Sequence, residues 1–418
     1  MRAFERVINR HLGRSPHLKN AAKNLYQRTL SLVPRSDDRA RVSMNVHQGY
    51  FFGFHDLTPW SSDDARLLAL RPPASDDPRG SVCDVGQLDE NGHFDEWTTT
   101  RAWNWQEGAR LQWVGARHSV ALNDLYDGRV HCRFLDVDRG TEQIFPVGVH
   151  TVSHSGDLAT TVDYDRIAAY SRAYSYEKCE PSRSADAGAL GLLHLDSGER
   201  EALYHPEASR FADGLDYVSH TTFSPDDRRI AFFHNCLRRG LRINRLLVLD
   251  RVSGSVVRLT RGNWVSHYCW CGNDTLLAFD EDEAGQRRFR IHQLGAEAPV
   301  AIEHGELLED GHPSSAHGGR WIVLDTYPDG FMIQRLKLMD LQSVQMRTLL
   351  ELRVPYRYRY EERCDFHPRW NRRGTHVCFD SAHDSERSLC VLDVSAIVGR
   401  EDGRSDSVES DEWSGSAA

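Results

Sequence analysis

The residues that could do chemistry are histidines at a recurring position. His220-Thr-Thr-Phe223, His267-Tyr-Cys-Trp270 and His367-Pro-Arg-Trp370 each place an aromatic ring three residues after an imidazole, and His150-Thr-Val-Ser153 and His312-Pro-Ser-Ser315 are polar versions. Arg110-Leu-Gln-Trp113 keeps the pattern with arginine at its head, and His55-Asp56 opens an offset copy through Pro59-Trp60-Ser61-Ser62-Asp63-Asp64. Imidazoles offer two chemistries: ligation of a borderline divalent metal such as Mn²⁺, Zn²⁺ or Fe²⁺, and proton transfer near neutral pH. A histidine at such a place can equally cap a strand by bonding to its neighbour. Asp365 and Asp310 lie two residues before His367 and His312. There they can ligate a metal, orient the rings, or serve as ordinary turn residues.

Arginines supply the cations. Arg238, Arg239 and Arg242, with Arg363, Arg369 and Arg387, are candidates for bidentate recognition of a carboxylate or phosphate. Tyr356-Arg-Tyr358-Arg-Tyr360 alternates strictly, which on a strand gives one aromatic face and one guanidinium face. Such a face, centred on Tyr358, suits a sugar ring; a half-buried edge strand reads the same way. There is no G-x-S-x-G elbow, no G-x-x-x-x-G-K-[ST] and no G-x-G-x-x-G in a βαβ setting, which argues against an attached serine hydrolase and against nucleotide chemistry.

The elements that must position these residues are short β-rich runs, broken by Gly, Asp, Pro and Asn, between residues 50 and 397. The clearest unit reads strand, Ser224-Pro-Asp-Asp227 turn, strand; a third strand ending in an acid follows, as in Arg245-Leu-Leu-Val-Leu-Asp250 and Ser388-Leu-Cys-Val-Leu-Asp393. Seven such units of about 40–55 residues are the mark of a seven-bladed, all-β propeller with four-stranded blades. The innermost strand of each blade lines the central channel, so the ring gathers His55, Arg110, His150, His220, His267, His312 and His367 around one mouth. The interval from His150 to His220 is long, and its Tyr- and Arg-rich stretch 164–183 predicts an inserted loop. The propeller is expected over 45–398, a basic amphipathic helical segment over 1–40, and a disordered tail over 399–418.

The chain has 418 residues, 40% hydrophobic and 27% charged, enough to bury a core, and its net charge of −10 speaks against nucleic acid as a partner. Residues 1–35 run the other way, with Arg2, Arg6, Arg10, Arg14, Lys19, Lys23, Arg28 and Arg35 against Glu5. Such a segment can pack on the side of the propeller or lie on an anionic membrane surface. The nine cysteines form no C-x-x-C pair and read as buried free thiols. No apolar run spans a bilayer and no secretory core opens the chain, so the expected compartment is the cytoplasm, with peripheral membrane contact through residues 1–35.

The H-x-x-[WF]-[SN]-x-x-[DG] repeats, with Gly311-His312-Pro313 and Asp365-Phe-His367-Pro-Arg-Trp370, resemble the oligogalacturonate lyase family over roughly residues 50–395. That resemblance implies an intracellular propeller that cleaves uronate oligosaccharides by β-elimination with a divalent metal, usually manganese. It makes His312 and His367 metal ligands, with Asp365 beside them, and His267 and Arg242 the catalytic pair. His55, Arg110, His150, His220, Tyr358, Arg363 and Arg369 are then expected to contact an acidic oligo- or polysaccharide. Where the family has glutamine three before the blade-seven histidine and histidine two after it, this chain has Cys364 and Arg369. Arg369 is accordingly expected to neutralise the substrate carboxylate by guanidinium in place of metal. A glycan-binding or scaffold propeller without catalysis is the alternative.

Overall fold

The structure is a computed structural model, and it describes residues 24–30, 39–40, 43–74, 81–182, 188–206, 215–238, 241–305, 307 and 309–402. Seven antiparallel sheets follow one another along the chain as the blades of a propeller. Blade 1 is built from Leu67–Arg71, Cys83–Leu88 and Phe94–Thr100, with Phe51 and Trp60 bridging to Leu70 and Leu67 on its inner edge. Blades 2 to 5 are regular, their inner strands being Gln112–Trp113, Val149–Val152, Leu215–Phe223 and Val265–Trp270. Blade 6 begins at Ser314–Ala316 and blade 7 at Arg369–Trp370.

The ring closes with an element that sequence reading did not identify. Met44–Gln48 forms the outer strand of blade 7, pairing with Ser388–Asp393 in the register Met44↔Leu392 to Gln48↔Ser388. One sheet thus joins the two ends of the propeller and pairs the outer edge of Ser388–Asp393. Just before it, Arg39–Ala40 adds to the outer edge of blade 6, so the predicted helical segment 1–40 ends in a strand. Residues 24–30 are helical, and Gln27 donates to the carbonyl of Asp329 while Tyr356 donates to that of Asn24. This part of the segment packs on the propeller; residues 1–23, with most of the basic side chains, lie outside the described residues. At the other end, the helix Ser395–Asp402 runs into the stretch expected to be a tail. The rest of that tail, 403–418, lies outside the described residues.

The repeated residues explain how blades adhere. The aromatic of the repeat reaches back to the preceding blade: Trp113 Nε1 donates to the Pro59 carbonyl at 2.9 Å, Trp270 Nε1 to Thr222 Oγ1 at 3.0 Å and Trp370 Nε1 to the Ser314 carbonyl at 3.0 Å. The last acid of the turn does the same, Asp227 accepting from the backbone of His154 and Ser155, and Asp64 from that of Arg372 and Arg373. Between these stitches lie apolar interfaces such as Trp321, Leu338, Phe366 and Phe379 between blades 6 and 7. Each such side chain contributes roughly 1.5–3 kcal/mol of burial.

The predicted insertion is present in blade 3, between Leu158–Thr161 and Leu190–His194. It holds a short helix, Tyr164–Ala168, and a 3-10 turn, Arg172–Tyr174. By contrast, Tyr356–Tyr360 is not a strand: Pro355 opens a turn closed by the Tyr358 N–H, and Tyr360–Glu362 is a 3-10 turn. Its arginines lie over neighbouring tyrosine rings, Arg359 at 3.9 Å from Tyr356 and Arg357 at 4.9 Å from Tyr358. The alternation is therefore used up in local cation–π contacts and presents no flat aromatic face.

Candidate functional site

The channel residues enter the ring through backbone irregularities. Register shifts interrupt the inner ladders at Val149/Thr151, Ser219/Thr222 and Val265/Tyr268, around His150, His220 and His267. Arg110, His220 and His367 have φ of 50°, 52° and 46°, a left-handed region that costs a residue with a side chain about 1–3 kcal/mol. A regular pleat would send alternate side chains into the blade interfaces; bulges and left-handed residues turn these ones to the axis.

At the axis stands Phe54. Its ring lies 5.0 Å from that of His367, 5.2 Å from His220, 5.9 Å from His312 and 6.3 Å from His267, and it adjoins His55. His312 is the centre of a tight group, 4.1 Å from His267 and 4.3 Å from His367 between ring centroids. The channel histidines are thus brought together, and with the acids and arginines beside them they divide into two clusters.

The first comprises His312, Asp365 and His367, all buried, whose ligand atoms lie within 4.8 Å of one another. Asp325 accepts from His312 Nδ1 at 2.9 and 3.0 Å, and the Gly53 carbonyl accepts from His367 Nδ1 at 3.0 Å. In the neutral rings those acceptors place the proton on Nδ1, which leaves a lone pair on each Nε2. Both are buried without a hydrogen-bond partner, an arrangement that costs about 1–3 kcal/mol each unless something fills it. Two imidazole nitrogens and a carboxylate with oriented outer partners fit a borderline divalent cation. Burial opposes charge on His312 but contact with Asp325 outweighs it and raises its pKa, whereas burial, His312 and Arg369 hold His367 well below the ordinary histidine value.

His267 adjoins this cluster. Asp310 accepts from its Nδ1 at 3.0 Å and from Ser266 Oγ at 2.6 Å, so Asp310 orients an imidazole rather than making only a turn. Burial and the neighbouring His312 lower the His267 pKa despite Asp310. Arg363 binds Asp365 through Nε and Gln106 Oε1 at 3.0 Å, and sits 5.9 Å from the Tyr327 ring.

The second cluster centres on Arg110, whose five N–H groups are all engaged. Asp56 takes two at 3.0 and 2.8 Å, Glu107 one at 2.9 Å, and the His150 carbonyl and Nδ1 the others at 2.9 and 3.0 Å. Glu107 lies 3.9 Å from His150 Nε2 and 3.8 Å from His220 Nε2. Burial, aided by the charge of Asp56, outweighs Arg110 and raises the Glu107 pKa to about 7. Burial and Arg110 hold His150 well below its ordinary value, and burial with His267 and Arg110 takes His220 to about 3.

Several expectations need correction. Arg110 is a buried hub with no donor left for a substrate. Arg369 is buried and committed as well, Nη2 to Asp380 Oδ2 at 2.6 Å and to the Gly53 carbonyl, Nε to the Phe54 carbonyl and Nη1 to Cys378 Sγ at 3.8 Å, so it braces blade 7 against residues 53–54 and does not face a substrate carboxylate in place of a metal. Arg242 stands in the third strand of blade 4, where it donates to the Tyr170 carbonyl at 3.3 Å, and the fold does not bring it to His267. Tyr358 donates to the Ser385 carbonyl at 3.0 Å, tying its turn to the loop between the second and third strands of blade 7. Cys364 sits in an apolar cluster with Val354 and Ala382, its thiol pushed up to about 12 by burial, which does not suit a ligand. Arg387 stacks 3.7 Å over Trp105. Arg239 and the side chain of Arg238 lie outside the described residues.

Sequence reading missed Asp325 and Glu107. Asp325 had a signal, an acid ending an apolar second strand, Trp321-Ile-Val-Leu-Asp325, repeated as Val377-Cys-Phe-Asp380 in blade 7. Glu107 had none, since it comes from a tight turn in which Asn104 Oδ1 accepts from the N–H groups of Gln106 and Glu107. Gly108, at φ 61°, closes that turn where a Cβ would stand 2.2 Å from the Phe52 carbonyl.

No family model matches this chain, and no curated protein matches it either. Solved structures do. The fold is that of the oligogalacturonate lyases. An oligogalacturonate lyase in complex with manganese matches with a TM-score of 0.62 at 12% identity, over 87% of this chain and 98% of that one. The oligogalacturonate lyase of Vibrio parahaemolyticus gives 0.57 at 12% identity, over 86% and 99%. A prolyl endopeptidase gives 0.50 at 12% identity over 91% of this chain and 54% of its own. At such identity the likeness establishes the propeller, and the chemistry rests on the residues.

Proposed function

We propose that this protein is a lyase-like propeller that cleaves a uronate-containing oligo- or polysaccharide by β-elimination at the His312–Asp365–His367 face of its channel. The observation that carries the reading is the pair of buried, unpartnered Nε2 atoms on His312 and His367 beside the Asp365 carboxylate. Support also comes from the overall likeness to an oligogalacturonate lyase in complex with manganese.

His312, Asp365 and His367 would hold the divalent cation, manganese by analogy with that neighbour. A cation there would draw charge from the uronate carboxylate and so acidify the adjacent C5–H. Arg363, the partly exposed cation joined to the cluster, binds the same carboxylate. His267, neutral and with Nδ1 committed to Asp310, takes the C5 proton on Nε2. The electrons of the C5–H bond form the C4=C5 double bond as the C4–O bond breaks, and the departing oxygen acquires a proton.

The test is an assay of uronate oligosaccharides followed by absorbance of the unsaturated product, with Mn²⁺ and after chelation. Metal-dependent absorbance growth is the expected result. Binding of the same glycans without product, with and without metal, would instead make this a glycan-binding propeller. No helix among the described residues is long and apolar enough to cross a membrane; a cytoplasmic location with membrane contact through residues 1–35 is part of the proposal.

A further inference from the structure

The elimination leaves one proton unaccounted for, and the second cluster offers a source. We propose that Glu107 is the general acid of the channel, donating its carboxyl proton to the glycosidic oxygen as the C4–O bond breaks; this rests on the elimination reading above.

Placement supports it first. The Asn104–Gly108 turn belongs to both halves of the channel: Gln106 accepts from the Arg363 guanidinium and donates to the Arg363 carbonyl at 3.1 Å, beside Asp365, while the next residue, Glu107, faces His150 and His220. A sugar chain whose carboxylate is held by Arg363 therefore has Glu107 one residue along the same turn.

Charge supports it next. Two carboxylates, Glu107 and Asp56, face the single guanidinium of Arg110 in a buried site. The remaining titratable neighbours, His150, His220, Tyr164 and Tyr176, add no compensating cation: burial keeps both histidines neutral and both phenols protonated at neutral pH. A second buried negative charge lacks a partner, and Glu107 instead holds a proton up to about pH 7. Arg110 binds Oε2, and His220 Nε2 lies 3.8 Å from Oε1. After transfer the carboxylate is stabilised by Arg110 and recovers its proton from water.

The experiment compares wild type, Glu107→Gln and Glu107→Asp on two uronates, one with a sugar at O4 and one with a nitrophenyl group that departs without protonation. For Glu107→Gln a loss of about 10²-fold or more is expected on the sugar and only a few-fold on the nitrophenyl ether. The wild-type rate should fall as pH rises through about 7, a limb that Glu107→Gln abolishes and Glu107→Asp retains. Equal losses on both substrates, or an unchanged alkaline limb in Glu107→Gln, would overturn the assignment alone. A wild type silent on both substrates removes the elimination reading, and this assignment with it.

Discussion

The carboxylate of Asp325 holds His312 by its Nδ1 and its backbone N–H at once, and its second oxygen takes the backbone N–H of His367. One buried acid from the second strand of blade 6 therefore sets the position of two residues in different blades. Asp325→Asn would replace one accepting oxygen by a donor and free the His312 ring to rotate. Loss of an outer partner of this kind weakens metal affinity about 10–100-fold. Equilibrium dialysis with Mn²⁺ should show that loss in Asp325→Asn, and binding at wild-type strength would mean that Asp325 serves only to join the blades.

Arg369 makes a contrasting case, because its charge is spent inside the protein. Asp380, its partner, also accepts from the N–H groups of Phe52 and Gly53. Arg369→Met leaves a buried carboxylate unpaired and should lower stability by about 3–5 kcal/mol, while the double change Arg369→Met/Asp380→Leu recovers part of that loss. Denaturant titration of the three variants measures it. Glycan affinity of the folded Arg369→Met protein should stay at the wild-type level.

What was legible in the sequence was what repeats. The His-x-x-aromatic spacing marked inner strands because the indole stitches and the turning aspartates recur at several blade interfaces, and the channel histidines followed from the ring. What was not legible depends on non-local partners. Arg369 looked available because nothing in its surroundings announces that Asp380 and the carbonyls of residues 53 and 54 converge on it. Tyr358 had the period of a strand, but Pro355 and nearby guanidiniums decided its conformation. Closure by Met44–Gln48 was hidden for the same reason, since its partner lies more than three hundred residues away.

The neutral histidines make stability fall in acid. His220, with a pKa near 3 in the folded chain, and His150, also well below its ordinary value, take protons in the unfolded chain below about pH 6.5 that the fold refuses. Their folded values are depressed, so the neutral folded form is favoured above pH 6.5. As pH falls from about 6.5 towards 3 each costs up to about 1.4 kcal/mol per pH unit. Unfolding free energies of wild type and His220→Asn, measured across that window, should converge as pH falls, because the variant lacks one of the proton deficits that the buried channel histidines create. Parallel curves would show that His220 is already charged in the fold.

A chain beginning at Met44 loses the helix at 24–30 and the Arg39–Ala40 edge pairing but keeps the strand that joins the first and last blades. A chain beginning at Tyr50 loses that strand as well, exposing the Ser388–Asp393 edge, whose Leu389, Cys390 and Leu392 are fully buried. The first truncation should unfold in one transition near the wild-type midpoint. The second should unfold earlier and less steeply, with hydrogen exchange accelerated first in blade 7 and then at Phe52 and Gly53, which Asp380 ties to that blade. Because Gly53 also holds His367 Nδ1, opening the seam should weaken Mn²⁺ binding before the remaining blades melt. If the chain starting at Tyr50 unfolds and binds metal as the longer one does, the outer strand is not what holds the ring.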